Sequence, residues 1–343
     1  MLSRKTFIAA VAALLLAGSP SLAAKMLLIN GAGATFPYPI YSKWFSEYAK
    51  QNDTVNFNYQ SIGSGGGIRQ IQAGTVDFGA SDAPMTDEEL QKAQGGKVLH
   101  IPSVMGGVVP VYSLPDEPKL KFTQAALAGI FLGRIKNWNS AEIAKENPGV
   151  SLPDAPIVVV HRSDGSGTTF VWTDFLAKIS LEWKGRVGAG KSVNWPVGLG
   201  GKGNEGVAGL VKQTPNSIGY VELGYATNNK IPFGLVQNRD GNFVECSAQT
   251  VTNAASSSLA KMPIDFRVSI TNAPGADSYP ISTFTWLLIY QKQADPAKGE
   301  AVLNFLKWML SDGQKYAEPL GYAPLPAEMI QLEEEAIAQI KLS

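Results

Sequence analysis

The sequence predicts an α/β fold in which helices are layered on parallel strands. Short runs rich in β-branched residues, at 76–80, 108–112 and 157–160, alternate with segments whose apolar residues recur at helical spacing. Strand and helix alternation of this kind is typical of α/β layers with parallel sheets. The 35 glycines and 21 prolines are spread along the chain without any period, which indicates a loop-rich globular protein and not a repeat array.

The first 23 residues have the pattern of a secretory signal peptide. Arg4 and Lys5 precede an apolar stretch at 7–16, and Ser21 with Ala23 fits the small-x-small rule for cleavage after Ala23. The apolar stretch is too short for a permanent membrane span, although an uncleaved N-terminal anchor is the alternative. Removing 23 of the 343 residues leaves an exported chain of 320, which is long enough for two lobes.

Charge and cysteine content limit the possible functions. Without Arg4 and Lys5 the chain has 27 basic and 29 acidic residues, so its net charge is −2 and no nucleic-acid partner is expected. A bound anion must therefore be held by local donors. The only cysteine, Cys246, cannot form an internal disulfide and lies too far from the signal peptide to be a site of lipid attachment.

Two predicted amphipathic helices lie near the ends of the mature chain. The first contains Ile40, Trp44, Phe45 and Tyr48, and the second contains Val302, Leu303, Phe305, Leu306 and Met309. In both, the apolar residues recur every three or four positions and would form one buried face.

Four glycine-rich segments each lead into a predicted helix. In chain order they are 31–37, with Thr35 as the expected cap, 63–67, 164–169, and 201–206, with Asn204 as the expected cap. A helix start exposes unpaired backbone N–H groups and the positive end of the helix dipole. One such start is an ordinary cap, but three that share hydroxyl groups and glycines and that converge would bind an anion without a cationic patch.

Several of these segments also match a known family. They read GAGATFP at 31–37, GSGGG at 63–67, VDFGASDAP at 76–84, RSDGSGTTF at 162–170, WPVGLGGKGNEGV at 195–207, IGYVE at 218–222 and LGYAPLP at 320–326. Together they resemble the periplasmic phosphate-binding proteins of ABC-type phosphate transporters, over nearly the whole mature chain. One departure is Gly65, where a serine is expected in close relatives.

The resemblance implies a two-lobe type II periplasmic-binding-protein fold with a ligand cleft between the lobes. Lobe I is expected at 24–103 and 281–343, and lobe II at 104–280. We expect the crossovers near 102–106 and near 279–282, each before an apolar strand. The implied function is high-affinity binding of inorganic phosphate, or of arsenate as its isostere, in the periplasm. The monomeric protein would deliver the ion to the permease and ATPase subunits of the importer, without enzymatic activity, cofactor or metal.

By motif, the phosphate-contacting positions of the family correspond to Thr35, Phe36, Ser64, Asp82, Arg162, Ser166, Gly167 and Thr168. The Arg162 fork can donate to two phosphate oxygens, with Asp164 as a supporting partner that fixes the fork. The alternative is an exposed ion pair of little energetic value.

Asp82 is expected to accept a hydrogen bond from a proton that phosphate carries near neutral pH and that sulfate lacks. It would therefore admit phosphate and reject sulfate. The alternative is that Asp82 only shapes the turn before Pro84. Hydroxyl groups of Thr35, Ser64, Ser166 and Thr168 would donate to the ion, together with backbone N–H groups of Phe36, Gly167 and Thr168.

Two nucleotide motifs and a hydrolase are the rival interpretations. Residues 185–192 fit GxxxxGK[ST] and 198–203 fit GxGxxG, but neither has the expected strand and helix around it. Ser166 could be a nucleophile facing His161, yet the GxSxG pattern is absent. The two histidines, His100 and His161, are too few for a metal cluster. A binding protein for another oxyanion is a third alternative.

Overall fold

The computed structural model describes residues 26–259 and 262–342. The predicted signal peptide at 1–23 and its cleavage site after Ala23 lie outside these residues. Within the described part, no helix combines the length and the apolar character needed to cross a membrane.

The strands of the described residues alternate with helices along most of the chain. The strands are β1 (Leu27–Gly33), β2 (Val55–Ser61), β3 (Phe78–Ser81), β4 (Val98–Tyr112), β5 (Lys121–Phe122), β6 (Val158–Arg162), β7 (Leu199–Gly201), β8 (Ser217–Glu222), β9 (Leu235–Gln237), β10 (Phe243–Val244), β11 (Ser282–Tyr290), β12 (Lys292–Gln293) and β13 (Lys341–Leu342).

The α-helices are α1 (Tyr38–Ala49), α2 (Ser64–Gln72), α3 (Asp87–Gln91), α4 (Gln124–Phe131), α5 (Ala141–Ala144), α6 (Gly167–Ile179), α7 (Leu181–Arg186), α8 (Gly203–Gln213), α9 (Leu223–Asn228), α10 (Ala248–Leu259), α11 (Pro296–Leu310) and α12 (Ala327–Ile337). The two predicted amphipathic helices correspond to α1 and α11.

Eight of the described strands form one sheet in the order β2-β1-β3-β11-β4-β8-β6-β7. Pairing is parallel at the two ends of this sheet, between β2, β1 and β3 and between β8, β6 and β7. It is antiparallel in the centre, where β11 lies between β3 and β4 and where β4 pairs with β8. The prediction of parallel strands is therefore correct at both ends and wrong in the centre, because β4 and β11 join the two parallel groups.

Strand β4 is one continuous strand of 15 residues. Its first part, up to Gly107, pairs with β11, and its last part, from Val108, pairs with β8. The segment 102–106 therefore lies within a strand and not before one, whereas 279–282 leads into β11 as expected. Pro102 has no N–H to donate, and the register of the pair shifts opposite it, between Thr285 and Trp286.

Each parallel group has its own cluster of aromatic side chains. Near the first group, Phe45 and Phe57 stack with ring centroids 4.9 Å apart. Near the second, Trp172 and Tyr220 stack at 5.0 Å. Two separate aromatic cores of this kind would allow the two halves of the sheet to keep their shape independently.

Two of the predicted helix caps are wrong. Helix α1 begins after Pro37, and the Thr35 side chain makes no capping bond to it. Helix α8 begins after Lys202, so that Asn204 lies inside the first turn. The reason is that Asn204 donates to the Thr35 hydroxyl, a partner 169 positions away, instead of capping its own helix. Ser166 does cap α6, where its hydroxyl accepts from the Thr169 N–H at 3.0 Å.

Candidate functional site

The N-termini of α2 and α6 meet at glycines. A Cβ atom on Gly167 would lie 2.5 Å from both Asp82 Oδ2 and Ser64 Oγ, so only glycine fits between these side chains. Gly65 N–H donates to the Gly165 carbonyl over 2.8 Å. The two helix starts are thus in contact, and their positive dipole ends face the same small region.

Arg162, at the end of β6, forms a two-point ion pair with Asp164. The Nε–Oδ1 distance is 2.8 Å and the Nη2–Oδ2 distance is 2.6 Å. The Arg162 side chain is 1% exposed, so the alternative of an exposed loop pair is wrong. Its remaining nitrogen, Nη1, donates to Thr168 Oγ1 over 3.2 Å. Asp164 therefore fixes the plane of the guanidinium and directs Nη1 into the site.

Asp164 remains ionised beside Arg162. Burial alone would raise the pKa of its carboxyl group, but the hydrogen bonds and charge of Arg162 and the Gly203 N–H lower the pKa below its usual value. The Gly203 N–H, at the start of α8, donates to Asp164 Oδ1 over 3.1 Å. One carboxylate thus links the α8 N-terminus to the guanidinium and partly neutralises both.

Asp82 follows β3 directly and is 1% exposed. Thr285 Oγ1 donates to its Oδ1 over 3.1 Å, and Thr168 Oγ1 lies 3.5 Å from its Oδ2. The Asp82 N–H donates to Ser64 Oγ over 3.2 Å. The turn before Pro84 is closed by Ser81, whose hydroxyl accepts from the Ala83 N–H. Because Ser81 closes the turn while the Asp82 carboxyl group faces the hydroxyls of Thr285 and Thr168, the contacts support a binding role for Asp82 over a turn-shaping one.

The Asp82 carboxyl titrates close to neutral pH. Burial raises its pKa to about 7, against the lowering effects of the Thr285 hydrogen bond, the Arg162 charge and the hydroxyls of Thr168 and Ser64. A buried group whose proton occupancy changes near neutrality is typical of functional sites. Asp82 can therefore accept a hydrogen bond when ionised and donate one when protonated.

Asn204 joins Thr35 to Thr168. Its Nδ2 donates to Thr35 Oγ1 over 2.8 Å and to Thr168 Oγ1 over 3.1 Å. Asn204 and Thr285 both contact the predicted residues, but neither is among the residues predicted from the sequence to form the site. The position of Asn204 in the sequence predicts a helix cap, and the only sequence signal of Thr285 is a hydroxyl within the otherwise largely apolar run 284–289.

All eight predicted contact residues lie in this region of the fold and are buried. Ser64, Asp82, Arg162 and Thr168 are connected directly by hydrogen bonds, Thr35 joins them through Asn204, and Ser166 with Gly167 begins the adjoining helix. The Phe36 ring packs against Tyr322, with centroids 6.1 Å apart, and its carbonyl accepts from the Tyr322 hydroxyl. Phe36 would therefore contribute through its backbone.

Comparison with known proteins assigns the family. The sequence model of the PBP superfamily domain matches residues 17–313. The phosphate-binding protein PstS of Pasteurella multocida is 50% identical over 305 residues, which cover 88% of each chain. That of Xylella fastidiosa (strain Temecula1) is 49% identical over 309 residues, covering 90% of this chain and 84% of the relative. The chain belongs to the PBP superfamily, in the PstS family of phosphate-binding proteins.

Comparison with a solved structure confirms the fold class. A high affinity periplasmic phosphate-binding protein bound with phosphate superposes with a TM-score of 0.71 at 21% identity, covering 91% of this chain and 93% of that one. The predicted type II periplasmic-binding-protein fold is therefore confirmed.

The nucleotide motifs have other roles in this member of the PBP superfamily. Residues 187–192 form a loop after α7, with no strand before it and no helix after it, and Lys191 pairs with Glu89 over 2.8 Å. The GxGxxG segment does lead from β7 into α8. However, the first N–H groups of α8 are engaged by Asp164 and Thr35, so they do not form a dinucleotide site.

A serine hydrolase site is not assembled around Ser166. The His161 ring stacks on Trp195 with centroids 4.8 Å apart, and its Nδ1 lies 3.0 Å from the Arg162 carbonyl. The Ser166 hydroxyl is engaged in capping α6. In residues 26–259 and 262–342 there is no group of three or more histidine, cysteine or acidic side chains that could hold a metal ion.

Proposed function

We propose that this protein binds inorganic phosphate with high affinity in the periplasm and delivers it to an ABC-type phosphate importer. The names of the curated relatives, all phosphate-binding proteins PstS among those described above, support this function. The single observation that carries it is a buried cluster of hydroxyl and backbone donors that contains one guanidinium and one carboxyl titrating near neutrality.

The donors would hold the ion mainly through dipoles. The donor groups are the hydroxyls of Thr35, Ser64, Ser166 and Thr168, the backbone N–H groups of Phe36, Gly167 and Thr168, and the Arg162 guanidinium. Since Asp164 offsets much of the Arg162 charge, the site favours an anion without carrying a large positive charge of its own. Each charge-assisted hydrogen bond contributes about 1.5–3 kcal/mol, so several of them suffice for tight binding.

Asp82 would select ions that carry a proton. Phosphate near neutral pH has a hydrogen to donate to the ionised carboxylate, and arsenate should resemble it. Sulfate offers only acceptors, which would face the acceptor oxygens of Asp82 and leave both unpaired. A buried mismatch between charged acceptors costs more than the roughly 1–3 kcal/mol of a neutral one, so sulfate would bind weakly.

Closure of two lobes around the ion would signal its presence to the importer. In the proposed division, lobe I contains 24–103 and 281–343, and lobe II contains 104–280. The site draws Thr35, Ser64 and Asp82 from lobe I and Arg162 to Thr168 from lobe II, so that the ion would bind both lobes only when they are closed. We further propose that the protein acts as a monomer, catalyses no reaction and is exported through its signal peptide.

Calorimetric titration of the purified protein at pH 7.5 tests this function. Phosphate and arsenate should bind with a Kd of about 1 µM or tighter, and sulfate should bind at least about 100-fold more weakly. Equal affinities for phosphate and sulfate would contradict the proposal. Hydrolysis of a chromogenic phosphate ester, lost in Ser166→Ala, would instead favour the hydrolase alternative.

A further inference from the structure

We propose that Asn204 is a positioning residue that turns the hydroxyl hydrogens of Thr35 and Thr168 toward the bound anion. The inference rests on the proposed function of the site. Asn204 is completely buried in the first turn of α8 and makes no capping bond to its own helix. Its side chain instead reaches one threonine from each proposed lobe.

The backbone of Glu222 fixes the orientation of the Asn204 amide. The Glu222 N–H lies 3.0 Å from Asn204 Oδ1. A backbone N–H can only donate, so the amide oxygen must face Glu222. The NH2 group then faces the two threonine hydroxyls, at 2.8 and 3.1 Å, and it too can only donate. Both hydroxyl oxygens must therefore accept from Asn204.

These bonds use up the acceptor capacity of the hydroxyls. A hydroxyl oxygen has two lone pairs and one hydrogen. Thr35 Oγ1 accepts from both Nδ2 and the backbone N–H of Asn204, the latter at 3.2 Å. Thr168 Oγ1 accepts from Asn204 Nδ2 and from Arg162 Nη1, at 3.1 and 3.2 Å. Each hydroxyl therefore has only its hydrogen left to donate, and that of Thr168 faces Asp82 Oδ2 at 3.5 Å, a long contact that a bound ion would replace.

This arrangement makes the site selective for acceptors. With only their hydrogens left to donate, Thr35 and Thr168 can stabilise anionic oxygens and cannot accept from a ligand. The substitution Asn204→Asp would reverse the pattern, because an ionised carboxylate can only accept and would draw both hydroxyl hydrogens away from the ligand. The substitution preserves shape but exchanges donor for acceptor.

Phosphate titration of the variants N204A and N204D tests the inference. At pH 7.5 we expect the phosphate Kd to rise about 10-fold in N204A and about 100-fold in N204D. The matched control is N147A, because Asn147 is similarly buried but its side chain bonds to Lys121 and Ile143, away from the site. Its Kd should equal that of the wild type even if its unfolding temperature falls.

Measuring phosphate binding at lower pH distinguishes a positioning role of Asn204 from a purely structural one. Once protonated, the carboxyl group introduced by N204D has a hydrogen to donate, as the asparagine amide does. The ratio of the N204D to the wild-type phosphate Kd should therefore fall from about 100 at pH 8 to about 10 at pH 5. The titratable or charged groups around position 204 are present in both proteins and largely cancel in this ratio; they are Asp82, Arg162, Asp164, Glu205, Glu222 and Tyr225.

A double-mutant cycle provides a second measurement that does not require N204D to fold. Thr35→Val removes one of the oriented hydroxyls, so N204A should weaken phosphate binding at least about threefold less in T35V than in the wild type. Strictly additive losses, or a folded N204D whose Kd ratio is constant with pH, would overturn the inference while leaving phosphate binding by the wild type intact. Failure of the wild type to bind phosphate or arsenate would overturn the proposed function and this inference with it.

Discussion

At the scale of single residues, the site contains one carboxyl group that stays ionised and one whose protonation changes near neutral pH. Asp164 is held ionised by the Arg162 guanidinium, whereas burial raises the pKa of Asp82 to about 7. The two groups differ because Asp164 has both oxygens on the guanidinium and Asp82 has only hydroxyl partners. Their environments thus give two identical side chains different tasks.

Replacing Asp82 by asparagine should narrow the gap between phosphate and sulfate. The amide of Asp82→Asn can donate to a sulfate oxygen, so sulfate binding should improve and phosphate binding should weaken. We expect the ratio of the two Kd values at pH 7.5 to fall by at least about 10-fold. Calorimetric titration measures the Kd of both ions.

Asp77→Asn is the control for this substitution, since Asp77 lies just before β3 and pairs with Lys298 away from the site. It should leave the ratio unchanged. An Asp82→Asn protein that discriminates against sulfate as strongly as the wild type would show that Asp82 does not select the ion.

Arg162→Met should weaken phosphate binding by about 100-fold, because it removes the charged donor of the site and leaves Asp164 without its partner. The Kd from calorimetry and the unfolding temperature should both change. Arg186→Met is the control, because Arg186 pairs with Glu182 on the exposed side of α7. Unchanged phosphate affinity in Arg162→Met would show that the guanidinium does not contribute to phosphate binding.

At the scale of elements, local patterns were enough to predict α1, α11 and the helix that follows 164–169, because each of these depends on near neighbours in the chain. They failed for Thr35 and Asn204, whose side chains bond each other across 169 positions and so cannot be recognised from either segment alone. They also failed for the length and antiparallel pairing of β4, because a strand buried on both faces has no alternating pattern. The site residues came from the family resemblance, which supplied the long-range information.

The loop at 187–192 and helix α3 touch across the two proposed lobes through Lys191 and Glu89. Both side chains are about one-fifth exposed, so water screens their interaction only in part. The loop is also tied to the start of α6, since the Ser166 N–H donates to the Lys191 carbonyl over 2.8 Å. If the two lobes close around the ion as proposed, this ion pair would join them in the closed form.

Lys191→Met should weaken phosphate binding about threefold, since the pair stabilises the closed form by roughly 0.5–1 kcal/mol. Small-angle scattering at a fixed, subsaturating phosphate concentration should then show less compaction than the wild type shows. Lys43→Met is the control, because Lys43 pairs with Glu47 within α1. An identical Kd for Lys191→Met and the wild type would mean that the pair has no part in closure.

At the scale of the whole molecule, buried carboxyl groups couple stability to pH. Burial raises the pKa of Asp82 to about 7 and of Glu222 to about 8, and raises that of Glu333 well above its usual value. Between about pH 4 and pH 8 the folded protein therefore holds protons that the unfolded chain has lost. These three carboxyl groups therefore lower the free energy of unfolding as the pH rises through this window, whereas His100, whose pKa burial lowers to about 3, acts in the opposite direction below about pH 6.5.

Glu333→Gln should remove one part of this dependence without touching the site. Both Glu333 carboxyl oxygens are buried in α12 without a hydrogen-bond partner among the described residues. The variant should be more stable than the wild type by about 2 kcal/mol at pH 8 and nearly equal to it at pH 5. Urea unfolding without phosphate at both pH values measures this difference.

The control is Glu334→Gln, the exposed neighbour on the same helix, which should change stability little at either pH. A stability gain in Glu333→Gln that is the same at pH 5 and pH 8 would show that the proton on Glu333 is not responsible.

The position of β11 in the sheet also sets the order of events during synthesis. Strand β3 is in place early in the chain, yet its neighbour on one side is made some 200 residues later, between Ser282 and Tyr290. Until the ribosome has produced that segment, the edge of β3 has no strand to cover it. The native sheet therefore cannot be completed before this segment is available, whether the chain folds on the ribosome or after export, and such distant pairings form slowly.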